Sequence, residues 1–413
     1  MHATATASEI AVDAPAPATQ SQWSRPSVRL TALFMTLACL GLVISASAAG
    51  TAEYTSALLK RFALTGAAFF GFIFGAGVHY QWWRRHHLAV LALAFAGLAA
   101  VFVPGLGVQI NGARRWINPG LPVGFQPSEF AKVALLIWVA AYCERNVGRM
   151  RSFVHGFFVP VGVVGLAALL ILAEPDFGTA VLTGGVCMLV LLTFGTRLVY
   201  ALLAAAAALP LLQRLIFDAP YRMHRLVTFM NPWQDPRGAG YQLIQSKIAI
   251  GSGGLFGVGL GAGHQKAGFL PGASNDFIFS VLAEELGLIG SLVVVALFLL
   301  VLWECLKVAI RSRDPFGFSL SVGLSWLLTA QAAAHIAVAT GSVPTKGLSL
   351  PFISAGGSSL IASMLAAGIL VSIARSEESP ETYALKPWDQ DRPAYERLAS
   401  AALERLRPRR AIG

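Results

Sequence analysis

Ten apolar runs, each near the length of a membrane-crossing helix, punctuate the chain at roughly 29–49, 62–81, 87–106, 127–143, 154–173, 177–196, 198–217, 276–304, 318–341 and 358–374. About 20 such residues cross the hydrocarbon core of a bilayer. There the backbone must satisfy its own polar groups, which leaves helices and closed barrels. The pattern therefore predicts an all-α polytopic membrane protein of about ten transmembrane helices. Composition agrees where a soluble protein would have to differ: 55% of residues are hydrophobic and 13% charged, too few ions to cover a water-facing surface.

An even number of spans puts both termini on one side of the membrane. Arg84, Arg85, Arg145, Arg149, Arg151, Arg197, Lys307, Arg311 and Arg313 occupy the short connections on that side, as do Arg405, Arg407, Arg409 and Arg410 in the final segment. An excess of Lys and Arg in short loops marks the cytoplasmic face, so the termini are expected there. The organisation read from the chain is a disordered cytoplasmic tail over 1–28, a membrane domain over 29–375, and a polar cytoplasmic tail over 376–413. No small-residue cleavage site follows the first apolar run, which reads as a retained helix. The net charge of +10 follows this loop placement and excludes a nucleic-acid footprint. Cys39, Cys143, Cys187 and Cys305 lie in or at the ends of apolar runs without CxxC spacing, so no metal or disulfide framework is implied.

One connection is anomalous. The outer loop at about 218–275, between helices 7 and 8, mixes aromatic, basic and Gly-rich pieces. Its length and composition predict packed, partly helical structure, and ordered loops of that size are usually functional. Polar residues also crowd the outer ends of the spans, and an ionised group facing hydrocarbon costs on the order of 2.5–3.5 kcal/mol. They are expected to share a wet cavity opening outward.

Within that cavity Asp276 has two readings. A partly desolvated carboxylate at the entry to span eight fits a general base with a raised pKa; an acid at a helix start also fits an N-cap. Glu284, eight residues on, would share its helical face. Glu284 and Glu285 read first as hydrogen-bonding or ion-pairing groups inside the bundle. Glu174 and Asp176 flank Pro175 in a tight turn, where Asp176 is placed to cap the next helix. Arg114 and Arg115, ahead of the interfacial Trp116, run against the charge bias and fit a phosphate or pyrophosphate. Glu129 and Lys132 have the spacing of an intrahelical ion pair. Arg222, His224, Arg225, Lys247 and Lys266 decorate the loop and together fit an anionic, lipid-linked ligand. The irregular run Pro344–Ser359, with Lys346 and Ser358, is expected to line the site, since non-helical backbone at membrane depth needs cover. The run GSGGLFGVGLGAG at 251–263 lacks a preceding strand and faces outward, which excludes a nucleotide loop.

Taken in order, NGARRWI (111–117), FQPSEFAK (125–132), EPDFGTA (174–180), the FMNPWQDPRGAGYQLIQSKIAIGSGGLFGVGLG stretch (229–261), NDFIFSVLAEELGLIG (275–290) and PTKGLSLPFISAGGSSL (344–360) resemble the SEDS family of bacterial cell-wall proteins, most closely its cell-division branch. The resemblance implies a glycosyltransferase that polymerises lipid II into glycan during septal wall synthesis at the inner membrane. It implies Asp276 as the catalytic carboxylate, with a class B penicillin-binding protein and other division proteins as partners. Substrate contacts are expected from Arg114, Arg115, Trp116, Glu129, Lys132, Lys247, Lys266, Lys346 and Ser358. A divalent cation, magnesium or manganese, could share the charge, although no dedicated ligand set is visible. Alternatives are a lipid II flippase and the rod-elongation branch of the family. The chain departs from the family where Pro-Glu-Ala-His-Thr-Asp is usual: Pro271, Gly272, Ala273, Ser274 and Asn275 leave Asp276 as the block's sole carboxylate, and Ala355 replaces a frequent Tyr.

Overall fold

The structure is a computed structural model that describes residues 25–48, 54–110, 113–117, 124–217, 220–266, 268–312 and 314–378. Both expected tails lie outside these apart from their membrane-proximal ends. The helices are α1 (Pro26–Ser47), α2 (Tyr54–Gly77), a short α3 (Tyr80–Arg85), α4 (His87–Ala100), α5 (Pro127–Arg145), α6 (Val159–Ala173), α7 (Phe177–Thr193), α8 (Leu198–Phe217), α9 (Pro220–Met230), α10 (Tyr241–Ser252), α11 (Ile278–Arg311), α12 (Pro315–Ala339) and α13 (Gly357–Glu378). Each of the ten apolar runs falls on one of them. Between α4 and α5, strands β1 (Gly107–Ile110) and β2 (Ala113–Ile117) pair antiparallel, with Gln109 opposite Arg114 and Val108 opposite Trp116.

Local sequence explains the boundaries. Proline opens α1, α5 and α12, where its missing N–H costs nothing. Asp314 caps α12 by accepting the Gly317 N–H at 2.8 Å. The bundle is built inside out: α5, α12 and α13 are buried nearly all round, whereas Phe62, Phe70 and Ile73 of α2 and Leu288, Leu292, Leu299 and Trp303 of α11 are exposed where lipid replaces solvent. Close packing of α2 on α13 depends on glycine, because a β-carbon at Gly75 would stand 2.6 Å from the Leu365 carbonyl. At the basic end, Arg29 and Lys307 both pair with Glu304 at 2.9 Å, and Arg84 pairs with Glu144 at 3.0 Å.

Two interruptions shape the opposite end. The first breaks α11 at Gly287, whose φ of 68° and ψ of −167° are not helical, although its sequence reads as one continuous span. The Gly-rich loop crosses this break and supplies the hydrogen bonds that helix continuity would have made. The Val258 and Gly259 amides donate to the Glu284 and Glu285 carbonyls at 3.0 and 3.1 Å, and Leu288 and Ile289 donate to the Gly254 and Leu255 carbonyls at 2.9 and 3.1 Å. Interrupted backbone at membrane depth is tolerated when protein satisfies it in this way. The glycines admit the close approach, since a β-carbon at Gly257 would collide with the Glu285 carbonyl.

The second interruption is the irregular segment between α12 and α13. It folds back into the bundle, burying Phe352 against Phe34 with ring centroids 5.4 Å apart, while the Ser354 hydroxyl accepts from the Leu350 amide at 2.7 Å.

Candidate active site

Asp276 lies in the turn that leads into α11. The turn closes on Gly272, whose carbonyl accepts the Asn275 and Phe277 amides at 3.0 and 3.2 Å. The residue at the helix boundary is Phe277, without a side-chain cap. Asp276 therefore does not cap α11, and the capping alternative falls away. Nor does it share a helical face with Glu284, because it precedes the helix.

The folded-back segment holds this turn in place. The Ala355 amide donates to the Ser274 carbonyl at 3.0 Å, and the Ser354 hydroxyl donates to the Asn275 carbonyl at 2.9 Å. From α10, the Gln242 amide donates to the Pro271 carbonyl at 2.9 Å. Gly347 faces the carboxylate so closely that a β-carbon there would sit 3.3 Å from Oδ2.

The half-buried Asp276 carboxyl is held above the usual carboxylate range by burial, with Asp176 adding to the rise and Arg225, then Arg115, opposing it. These charges arrive from separate elements. Arg225 of α9 donates to the Thr345 carbonyl at 3.2 Å. Arg115 of β2 donates through Nε to the Glu174 carbonyl at 3.0 Å and through Nη2 to the Pro175 carbonyl. Asp176 caps α7, accepting the Thr179 amide at 3.2 Å and its hydroxyl at 2.9 Å. Lys346 sits over the Phe177 ring, its Nζ 4.4 Å from the centroid, and burial lowers its pKa against the pull of Asp176. The arrangement is a carboxylate biased toward accepting a proton, within the electrostatic reach of Arg225 and Arg115, cations suited to a phosphorylated ligand.

The other expected substrate contacts divide. Lys132 and Glu129 form their ion pair at 3.0 Å deep in the bundle, and Lys132 also donates to Gln331 at 2.8 Å. Gln331 in turn donates to the Ser349 carbonyl at 2.9 Å, which ties the pair to the folded-back segment. Ser358 accepts the Gln126 amide at 2.9 Å. Trp116 packs against Gly124. Arg114 is exposed while its neighbour Arg115 is half-buried, as alternation along a strand requires. Lys247 is exposed on α10, beside Gly341.

Lys266 is engaged elsewhere, 2.7 Å from the fully buried Glu285 carboxylate and 2.7 Å from the Ser47 hydroxyl. Glu284 accepts the His264 amide at 2.8 Å. Both glutamates thus bind the Gly-rich loop, the internal bonding role that their sequence context favours. Among the described residues no three His, Cys, Asp or Glu side chains form a metal-binding group. Asp176 is engaged in its cap, and Arg225 and Arg115 act on Asp276 electrostatically.

Arg225 was read only as one of several loop cations, and sequence reasoning left out Gly347, Gln331 and Arg61. Gly347 stood inside a motif already recognised. Gln331 and Arg61 had a plainer signal, a strongly polar side chain in or beside an apolar run.

The comparisons with known proteins follow this geometry. A profile described as cell cycle protein (FtsW/RodA/SpoVE) matches residues 27–379. The chain belongs to that family. A relative from Geobacter sp. (strain M18), named "Probable peptidoglycan glycosyltransferase FtsW", is 42% identical over 346 residues, covering 82% of this chain and 93% of its own. Stage V sporulation protein E of Bacillus subtilis (strain 168) is 36% identical over 85% of this chain and 97% of its own. Among solved structures, a chain from a peptidoglycan synthase complex described as coordinating polymerization and crosslinking superposes with a TM-score of 0.69 at 27% identity, covering 85% and 98%. The rod shape determining protein RodA of Thermus thermophilus gives 0.63 at 27%, covering 84% and 96%. The multi-pass helical fold expected from the apolar runs is that of the family.

Proposed function

We propose that the chain is the peptidoglycan glycosyltransferase of septal wall synthesis, elongating glycan from lipid II on the outer face of the inner membrane. Its family membership and FtsW-named relatives support the enzymatic class. The observation that carries the chemistry is Asp276, a half-buried carboxyl with a raised pKa, seated against Gly347 and flanked by Arg225 and Arg115. In the step, Asp276 takes the proton of the acceptor sugar hydroxyl as that oxygen attacks the donor's anomeric carbon. The bond from that carbon to the pyrophosphate oxygen breaks, and the lipid pyrophosphate leaves with the bonding pair. Arg115, Arg225 and Lys346 stabilise the charge gathering on it. A divalent magnesium or manganese ion bound to the pyrophosphate would add to that stabilisation.

The basic residues Arg84, Arg145, Arg197 and Arg311 support an orientation in which the opposite ends of the spans, and both termini, face the cytoplasm. The synthase complex among the structural relatives supports a class B penicillin-binding protein as the crosslinking partner, alongside other division proteins. A second reading, lipid II transport, gains something from the interruption of α11, since broken helices recur at transporter sites. Reconstitution with labelled lipid II separates the two. Polymerisation predicts glycan ladders with the wild type and none with Asp276→Asn. Transport without ladders, unaffected by Asp276→Asn, would overturn the proposal.

A further inference from the structure

Arg61 lies two turns into α2 and is 6% exposed. Among the described residues it has no carboxylate within ion-pair distance. A buried cation without a counter-ion is costly, so its hydrogen bonds are the place to look for its role. Nη1 donates to the Ser354 carbonyl at 2.9 Å, and Nη2 donates to the Ile353 carbonyl at 3.3 Å and to the Gly41 carbonyl of α1 at 3.5 Å. The guanidinium thus fastens the folded-back segment to two helices.

The residue it grips is the one that holds the acid's turn. Ser354 passes its hydroxyl to the Asn275 carbonyl, and the next amide, that of Ala355, binds the Ser274 carbonyl. The path from Arg61 to Asp276 is therefore continuous: guanidinium, carbonyls of 353 and 354, hydroxyl of 354 and amide of 355, carbonyls of 275 and 274, carboxylate. Hydrogen bonds in such a chain polarise one another. A planar fork can hold adjacent carbonyls together, whereas an ammonium is a single point of attachment.

We propose that Arg61 is a positioning residue for glycan synthesis, fixing the 353–355 segment and through it the orientation of Asp276 against Gly347 and the two arginines. The proposal rests on the polymerase reading above. It predicts that loosening this grip lets water reach the carboxyl, lowering a pKa that burial holds up, without touching substrate affinity.

The test uses full-length protein in nanodiscs with its crosslinking partner and fluorescent lipid II. Turnover and KM are measured from pH 5 to 9 for the wild type, Arg61→Lys, Arg61→Gln, Ser354→Ala and Asp276→Asn, normalised to monodisperse protein. Arg61→Gln is expected to lose tenfold or more in kcat at unchanged KM, with the acid limb of the profile moved to lower pH. Arg61→Lys should retain more activity, and Ser354→Ala should move the limb in the same direction by less. A purely structural role would scale the yield and leave the limb in place, which overturns the inference. Should the Arg61 variants fail to fold, an unmoved limb in Ser354→Ala overturns it equally. Failure of the polymerase reading itself looks different: the wild type makes no glycan, or Asp276→Asn matches it.

Discussion

Glu174 offers a quantitative test of the site's electrostatics, by replacement with glutamine. It is fully buried, and neither carboxyl oxygen has a hydrogen-bond partner. Burial, then the neighbouring Asp176 charge, raises its pKa from 4.5 to about 8, with Arg115 opposing. The folded state therefore holds a proton that the unfolded chain releases more easily. Stability from this group is fully present below pH 4.5 and falls by about 1.4 kcal/mol per pH unit as the unfolded carboxyl ionises, until the folded one follows near pH 8. At pH 7 the loss amounts to about 3 kcal/mol. Glutamine resembles the protonated acid and has no proton to retain. Its own buried amide N–H groups cost about 1–3 kcal/mol, but that cost does not vary with pH, so the slope is diagnostic. Thermal unfolding in detergent, followed at pH 5, 6, 7 and 8, should show the wild type losing stability with rising pH more steeply than Glu174→Gln, the gap between the curves narrowing as pH rises. Parallel curves would refute the assignment of a protonated Glu174.

Three further substitutions probe the surroundings. Gly347→Ala places a methyl 3.3 Å from the Asp276 carboxylate, which must shift to make room; the displaced carboxylate should cut glycan synthesis tenfold or more while the unfolding temperature falls by no more than a few degrees, and full activity would remove Gly347 from the site. Lys132→Met leaves Glu129 buried and unpaired, expected to cost about 3–5 kcal/mol; adding Glu129→Gln should restore much of the lost thermal stability, and a double variant no better than the single would show that the pair is not the reason. Gly257→Ala combines a φ of 81° with a collision against the Glu285 carbonyl; the loop should detach from α11, seen as faster proteolysis within 253–266, whereas an unchanged cleavage pattern would deny the loop its bridging role.

The spans were legible because the demand of a bilayer for about 20 apolar residues leaves a signal that needs no tertiary information. Asp176 as a cap and Glu129 with Lys132 as a pair were legible for a related reason, since each interaction is local in sequence. The position of Asp276 outside α11 was not, because the apolar run beginning at Phe277 continues the helical pattern without a boundary residue. Nor was the break at Gly287. A glycine in an apolar helix is common in membranes, and only the distant loop that occupies the gap distinguishes this one. Lys266 illustrates the same limit. Its charge fitted a ligand, and its partner turned out to be Glu285, brought alongside by that loop.

The stitching of residues 254–259 across the break has a mechanical meaning. Strands of backbone bonded on both sides of a gap act as a splice, so the short helical piece from Ile278 to Leu286 moves with the outer loop or not at all. Whatever grasps that loop from outside has a direct handle on the piece of chain that begins two residues after the acid.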